Sequence, residues 1–138
     1  MKSEIWGPHA WIFLHSIALE YPNNPSEIDK KNMISFFNSL GNVLPCYKCK
    51  VNFKKHIKDK PLTDEILSSK NNLVKWLIDI HNSVNKNNNK QVLSYEQALK
   101  ETLSLYEEGF TNWFIVYICI IIIIITITLY LYSKYKTL

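Results

Sequence analysis

Apolar residues in this chain recur at three- and four-residue steps, the period of a helix face, and almost nowhere at the two-residue step of a strand. From Pro8 to about Tyr21, Trp11, Leu14, His15 and Ala18 follow that step. The run from Tyr21 to Pro25 (YPNNP) predicts a turn, with Ser26 as the cap of a second helix. That helix is expected to bury Ile28, Met33, Phe36, Phe37 and Leu40, with Gly41 near its end. Pro45 interrupts the chain, a third and basic helix follows from about Cys46 to Asp59, and Pro61 stops it. The fourth pattern is the most regular, with Ile66, Leu73, Trp76, Leu77, Ile80 and Val84 on one face before a polar loop over 86–90. Ser94, with Gln97 three residues on, resembles a capping box for a last helix through about Glu108. Short helices joined by short loops predict an all-α, compact four-to-five-helix bundle.

The pattern then changes. Residues 113–132 (WFIVYICIIIIIITITLYLY) hold no charge, and twenty residues at about 1.5 Å each make roughly 30 Å, the thickness of a bilayer core. One transmembrane helix is therefore predicted. The expected organisation is a helical domain over 1–108, a short linker at 109–112, the span at 113–132 and a short basic tail at 133–138. No secretory leader is visible: acidic Glu4 and Trp6 follow Met1-Lys2. That predicts a single-pass C-terminal anchor, with the soluble domain cytosolic or virion-associated. Glu107 and Glu108 before the span and lysines after it pull weakly the other way.

Charge excludes little else. The chain of 138 residues has a net charge of +4 and contains no arginine. Without a bidentate donor for phosphates and guanine edges, nucleic-acid binding is not expected as its main task.

Candidate chemistry begins at Pro45-Cys46-x-x-Cys49. Two cysteines three apart at a helix start share a face, close enough for a disulfide. Orphan N–H groups, the positive helix end and nearby Lys48 and Lys50 favour a thiolate there. A lone CxxC is still compatible with a redox pair, half a zinc site or two ordinary thiols. Zinc needs further ligands, and Cys119 lies inside the apolar span. His9, His15, His56 and His81 remain, none in an HxxxH arrangement, so no metal site is predicted. A thioredoxin-like fold is disfavoured because the segment from Met33 to Leu44 reads as helix, not strand.

Two further groups stand out. His81 and Asn85 are four apart and share a helix face, and Asn82 adjoins Asn85. Asparagine is a mediocre helix former, so either these side chains have hydrogen-bonding work or the helix frays into the Asn-rich loop. Trp11 and His15 are one turn apart, as a ring pair or as ordinary core.

Taken together, Trp6-Gly7 with Trp11, Leu14 and His15, then Tyr21-Pro22 and Pro25, then Pro45-Cys46-x-x-Cys49, then Trp76-Leu77 with His81, Asn82, Val84 and Asn85, resemble the Erv/ALR family of FAD-linked sulfhydryl oxidases. The order and spacing follow that family over roughly residues 6–95, and the small size is similar to its viral members. The resemblance implies a helical bundle around non-covalent FAD, with Cys46 and Cys49 catalytic. Cys46, as the more exposed thiol, would exchange disulfides with the substrate. Cys49 would lie beside the flavin and pass it two electrons, with O₂ as final acceptor and hydrogen peroxide as product. By the same likeness Gly7 belongs to the cofactor site, Trp11, His15 and Tyr21 line the ring system, and His81, Asn82, Val84, Asn85, Lys86 and Lys90 hold the adenosine and pyrophosphate part.

The sequence departs from that pattern in places. Pro8 stands where many relatives have a basic residue, and Asn88-Asn89-Lys90 where they often have Leu-Gly-Lys. Asparagine tolerates the left-handed conformation, so the turn is expected to survive. Ile78 and Ser94 occupy the positions of a structural disulfide common in the family. No second, shuttle cysteine pair exists, so a separate dithiol protein, thioredoxin-like or otherwise, must reach Cys46 directly. The family likeness also implies a homodimer through the first helices. The reading from another class is a membrane-anchored, non-catalytic zinc or thiol adaptor.

Overall fold

A computed structural model describes residues 1–136, except the side chains of 108–112, which include those of the expected linker at 109–112. The last two residues of the expected tail also lie outside the described residues. Five α-helices follow in order: α1 (Ser3–Leu19), α2 (Glu27–Val43), α3 (Tyr47–Asp59), α4 (Lys70–Asn87) and α5 (Tyr95–Lys136), with one 3-10 turn at Ile66–Ser68. There is no strand among the described residues. The chain divides into two units, Met1–Ala98 and the part from Leu99 onward.

In the first unit α4 is the common neighbour, packing against α1, α3 and the 3-10 turn, while α2 packs on α3. Its inner residues Leu73, Trp76, Leu77 and Ile80 are buried, together with Leu14 and Ala18 of α1, Phe37 of α2 and Phe53 of α3. Phe37 meets Trp76 edge-on at 4.8 Å and 75°, a geometry in which the positive ring edge faces a negative π face. The Trp76 indole N–H is not stranded by this burial; it donates to the Lys60 carbonyl at 2.8 Å, tying α4 to the end of α3.

The helix ends follow from their residues. Ser26 Oγ accepts from the Asp29 N–H at 3.2 Å and Asp29 returns a bond to the Ser26 N–H at 2.8 Å, a reciprocal box. Ser94 and Gln97 repeat it at the start of α5, with bonds of 3.2 and 3.0 Å. The end of α4 is a Schellman turn. The Lys90 N–H reaches the Asn85 carbonyl at 2.8 Å, the Asn89 N–H reaches Lys86 at 3.2 Å, and Asn89 takes a left-handed φ of 53°. Asparagine thus fills the place that glycine most often takes.

Three sequence expectations need correction. α1 begins at Ser3 and runs through Pro8, because this proline stands early in the helix and forfeits only one bond, to the Glu4 carbonyl. Ile28 is 70% exposed, not buried. It precedes Phe37 by nine residues, which at about 100° each turns it to the opposite side of α2. Ile66 lies in the 3-10 turn instead of α4.

In the second unit α5 contains Trp113–Lys136, a stretch long and apolar enough to cross a membrane, with mean hydropathy 3.0 over its apolar window.

Candidate redox and cofactor site

The two cysteines of the CxxC are joined as a disulfide, Cys46 to Cys49, with Cα atoms 5.1 Å apart. Cys46 is the N-cap of α3: its backbone is extended, and its Sγ accepts the Cys49 N–H at 3.2 Å. A sulfur thus occupies the position usually held by a serine or aspartate oxygen. Reduction would leave that sulfur facing orphan N–H groups and the positive helix end, both of which favour its anion. Both cysteines are half-buried, and Cys46 alone is the cap.

At the seam of α1 and α4, Trp11, His15 and His81 come together. The Trp11 indole stacks on the His81 imidazole at 3.9 Å and 11°, and His15 Nε2 lies 3.2 Å from His81 Nδ1. Burial pushes the His15 pKa down to about 4. The His81 pKa is also pushed down to about 4, first by burial and then by His15 and Lys90 nearby. Both rings are therefore neutral at pH 7, one donating and the other accepting the shared proton. The result is a flat, uncharged surface of three rings built from α1 and α4.

One turn before Trp11 on the same face of α1, a Cβ placed on Gly7 would meet nothing within 4 Å. One residue earlier, the Trp6 indole N–H is buried without a hydrogen-bond partner. Orphaned buried donors are rare in folded proteins and each wants an explanation. Lys86 and Lys90 are exposed around the Schellman turn, and Val84 and Asn85 are half-buried beside it.

Two other expected residues bond to backbone groups. The Asn82 amide clasps Leu93, donating to its carbonyl at 2.8 Å and accepting its N–H at 3.1 Å, which fastens the loop after α4. Tyr21 is buried in the core and donates to the Leu67 carbonyl at 3.1 Å. One pair escaped sequence reasoning: buried His56 of α3 lies 3.1 Å from the Asn87 amide of α4. No spacing signal relates residues so far apart.

Comparison with known proteins agrees with this geometry. The family model described as Erv1 / Alr matches residues 8–104. A protein of Acanthamoeba polyphaga mimivirus, named a probable FAD-linked sulfhydryl oxidase, is 48% identical over 119 residues, covering 84% of this chain and 83% of the relative. The FAD-linked sulfhydryl oxidase of African swine fever virus (isolate Tick/Malawi/Lil 20-1/1983) is 29% identical over 107 residues, covering 78% of this chain and 84% of its own length. The crystal structure of the FAD binding domain of Erv1 from Saccharomyces cerevisiae superposes with a TM-score of 0.65 at 31% identity, covering 70% of this chain and 89% of that one. With the matched segment holding the capped disulfide and the three-ring seam alike, the chain belongs to the Erv1/Alr family.

Proposed function

We propose that the chain is an FAD-linked sulfhydryl oxidase: two protein thiols and O₂ give a disulfide and hydrogen peroxide, with Cys46–Cys49 as the redox disulfide. The observation that carries this reading is a disulfide at a helix N-cap in a chain of that family. When bound, FAD supplies a two-electron acceptor that O₂ can reoxidise.

The chain's own residues supply the rest. The cap at Cys46 holds its sulfur where a thiolate is stabilised, so Cys46 is the exchanging sulfur and Cys49 the one that faces the cofactor. Trp11, His15 and His81 offer neutral flat faces on which planar rings stack. Gly7 leaves room on that face, and the orphan Trp6 N–H fits a cofactor acceptor. Lys86 and Lys90 suit pyrophosphate as flexible cations, with Val84 and Asn85 beside them. Tyr21 and Asn82 serve the same site, Tyr21 by tying the segment after α1 to the 3-10 turn and Asn82 by holding the loop after α4. These features fit a flavin dinucleotide.

The substrate is a dithiol protein, thioredoxin-like in its CxxC or CxxxC chemistry. The helix over 113–132 is the single membrane span, bathed in lipid, and the catalytic domain stands on the cytosolic side or within a virion. A homodimer through α1 and α2 is supported by Ile5 and Phe13 of α1 and Ile28 of α2, all well exposed.

The test uses the full chain purified in detergent. It is expected to be yellow and to consume oxygen with a dithiol. A colourless, zinc-containing protein would overturn the oxidase in favour of the adaptor. Protease added to intact vesicles is expected to digest the catalytic domain; protection would reverse the topology.

A further inference from the structure

α3 carries Lys48, Lys50, Lys54, Lys55 and Lys58 against one acid, Asp59. Helix formation does not explain them. Lys48 and Lys50 stand in the first turn, where the dipole disfavours cations and where α1, α2 and α5 carry acids. Lys50, Lys54 and Lys58 follow at four-residue intervals, a spacing at which like charges repel. None of the five makes an ion pair among the described residues, where the one at hand is Lys30–Glu27. Four are exposed and Lys50 is half-buried.

This charge surrounds an apolar strip. Tyr47 and Val51, one turn apart, head the outer face and are 83% and 49% exposed. Lys50 and Lys48 flank them, and Lys54, Lys55 and Lys58 continue the face along the helix. Tyr47 stands directly after the capping sulfur. Such a ring costs solvation and gives the isolated fold nothing.

We infer that this face docks the protein substrate, and that the substrate is acidic: it presents its cysteine pair beside Asp or Glu side chains, with an apolar contact for Tyr47. The inference rests on the oxidase reading above and adds the substrate class to it. A partner thiolate attacks Cys46 Sγ, the Cys46–Cys49 bond breaks, and Cys49 leaves as thiolate. The partner's second thiolate then attacks its own sulfur in the mixed disulfide and releases Cys46. Two electrons pass from partner to chain, and the partner's two thiol protons end on Cys46 and Cys49 or on water. Lysines around the sulfur raise the local concentration of an acidic partner and orient it, effects that depend on salt. Anionic lipid would meet the same charge, but a ring beside the exchanging sulfur suits a dithiol partner and not a headgroup.

The experiment compares two dithiol peptides, identical except for flanking glutamates or flanking lysines, with dithiothreitol as uncharged control and the full chain in detergent as enzyme. The acidic peptide is expected to show a kcat/KM about tenfold or more above the basic one, and to lose most of that lead at about 1 M salt, where the Debye length is about 3 Å. Combining Lys54→Glu, Lys55→Glu and Lys58→Glu, all remote from the sulfur, should reverse the preference and leave dithiothreitol oxidation unchanged. Equal use of both peptides at low salt overturns the inference, as does lysine-dependent binding to anionic vesicles without peptide preference. The salt arm needs no variant, so a misfolded triple variant does not protect the idea. Failure of the unaltered chain to oxidise dithiothreitol would instead bring down the oxidase reading, and this inference with it.

Discussion

At the start of α3, two sulfurs sit half-buried amid unpaired lysines; at the seam of α1 and α4, two imidazoles and an indole pack together with their charge removed by burial. The first surface is open and positively charged, as an exchange partner of macromolecular size requires. The second is neutral, because burial holds both imidazoles unprotonated. Both lean on α4, which touches α1 and α3 alike. One amphipathic helix, its inner face buried, thus lets two unlike environments exist in a small unit, since neither has to supply the core.

The largest expected effect falls on the sulfurs. Cys46→Ser and Cys49→Ser should each lower oxygen consumption by about a thousandfold or more, while the purified proteins keep their yellow colour. Loss of colour with the sulfurs would break the separation of the two surfaces. The pair also differs in kind. Cys49→Ser, which keeps the exchanging sulfur, should trap a mixed disulfide with a disulfide-bonded partner peptide on a non-reducing gel, and Cys46→Ser should not.

Next comes the seam. His81→Ala removes the ring on which Trp11 stacks, and stacking on an aromatic is worth about 1–3 kcal/mol, so flavin dissociation should rise roughly ten- to a hundredfold. Fluorescence of released flavin measures it. Stoichiometric exchange of Cys46–Cys49 with a small dithiol should be unaffected.

The seam also predicts a pH dependence. Unfolded histidine titrates near 6.5, whereas His15 and His81 resist protonation until about 4. Between those values the unfolded chain binds more protons, so stability is full above the upper one and falls as pH drops toward the lower. The slope is about 1.4 kcal/mol per pH unit for each proton involved, the pair titrating as a unit. Denaturant midpoints across that window check it, and His15→Leu should flatten the curve. The smallest effect is at the turn after α4. Asn89→Gly relieves the left-handed φ and should raise stability by at most about 1 kcal/mol, with turnover and colour unchanged.

Local chemistry was readable in advance. Ser26, Ser94 with Gln97, and the asparagine turn are decisions taken within a few residues, and each took the form the residue types favour. The CxxC at a helix start was equally local. What could not be read is what tertiary contact decides. His15 and His81 are 66 residues apart in sequence and no periodicity joins them, although each was a candidate on its own helix. Tyr21 and Asn82 were legible as important residues, but not that a buried hydroxyl would choose the Leu67 carbonyl or an amide the Leu93 backbone. Pro8 misled because a proline marks a helix start more often than an interior position, and only the forfeiture of a single bond makes the longer helix tolerable.

In the apolar stretch of α5, Thr126 and Thr128 return their hydroxyls to the Ile123 and Ile125 carbonyls, each at 2.8 Å. No donor on either is left pointing outward. Helices inside a bilayer recognise one another largely through small residues and through side chains that hydrogen-bond across the gap. This one presents branched aliphatic bulk and keeps its hydroxyls for itself. A helix so built would be a tether without an address, holding to lipid without selecting a neighbouring helix.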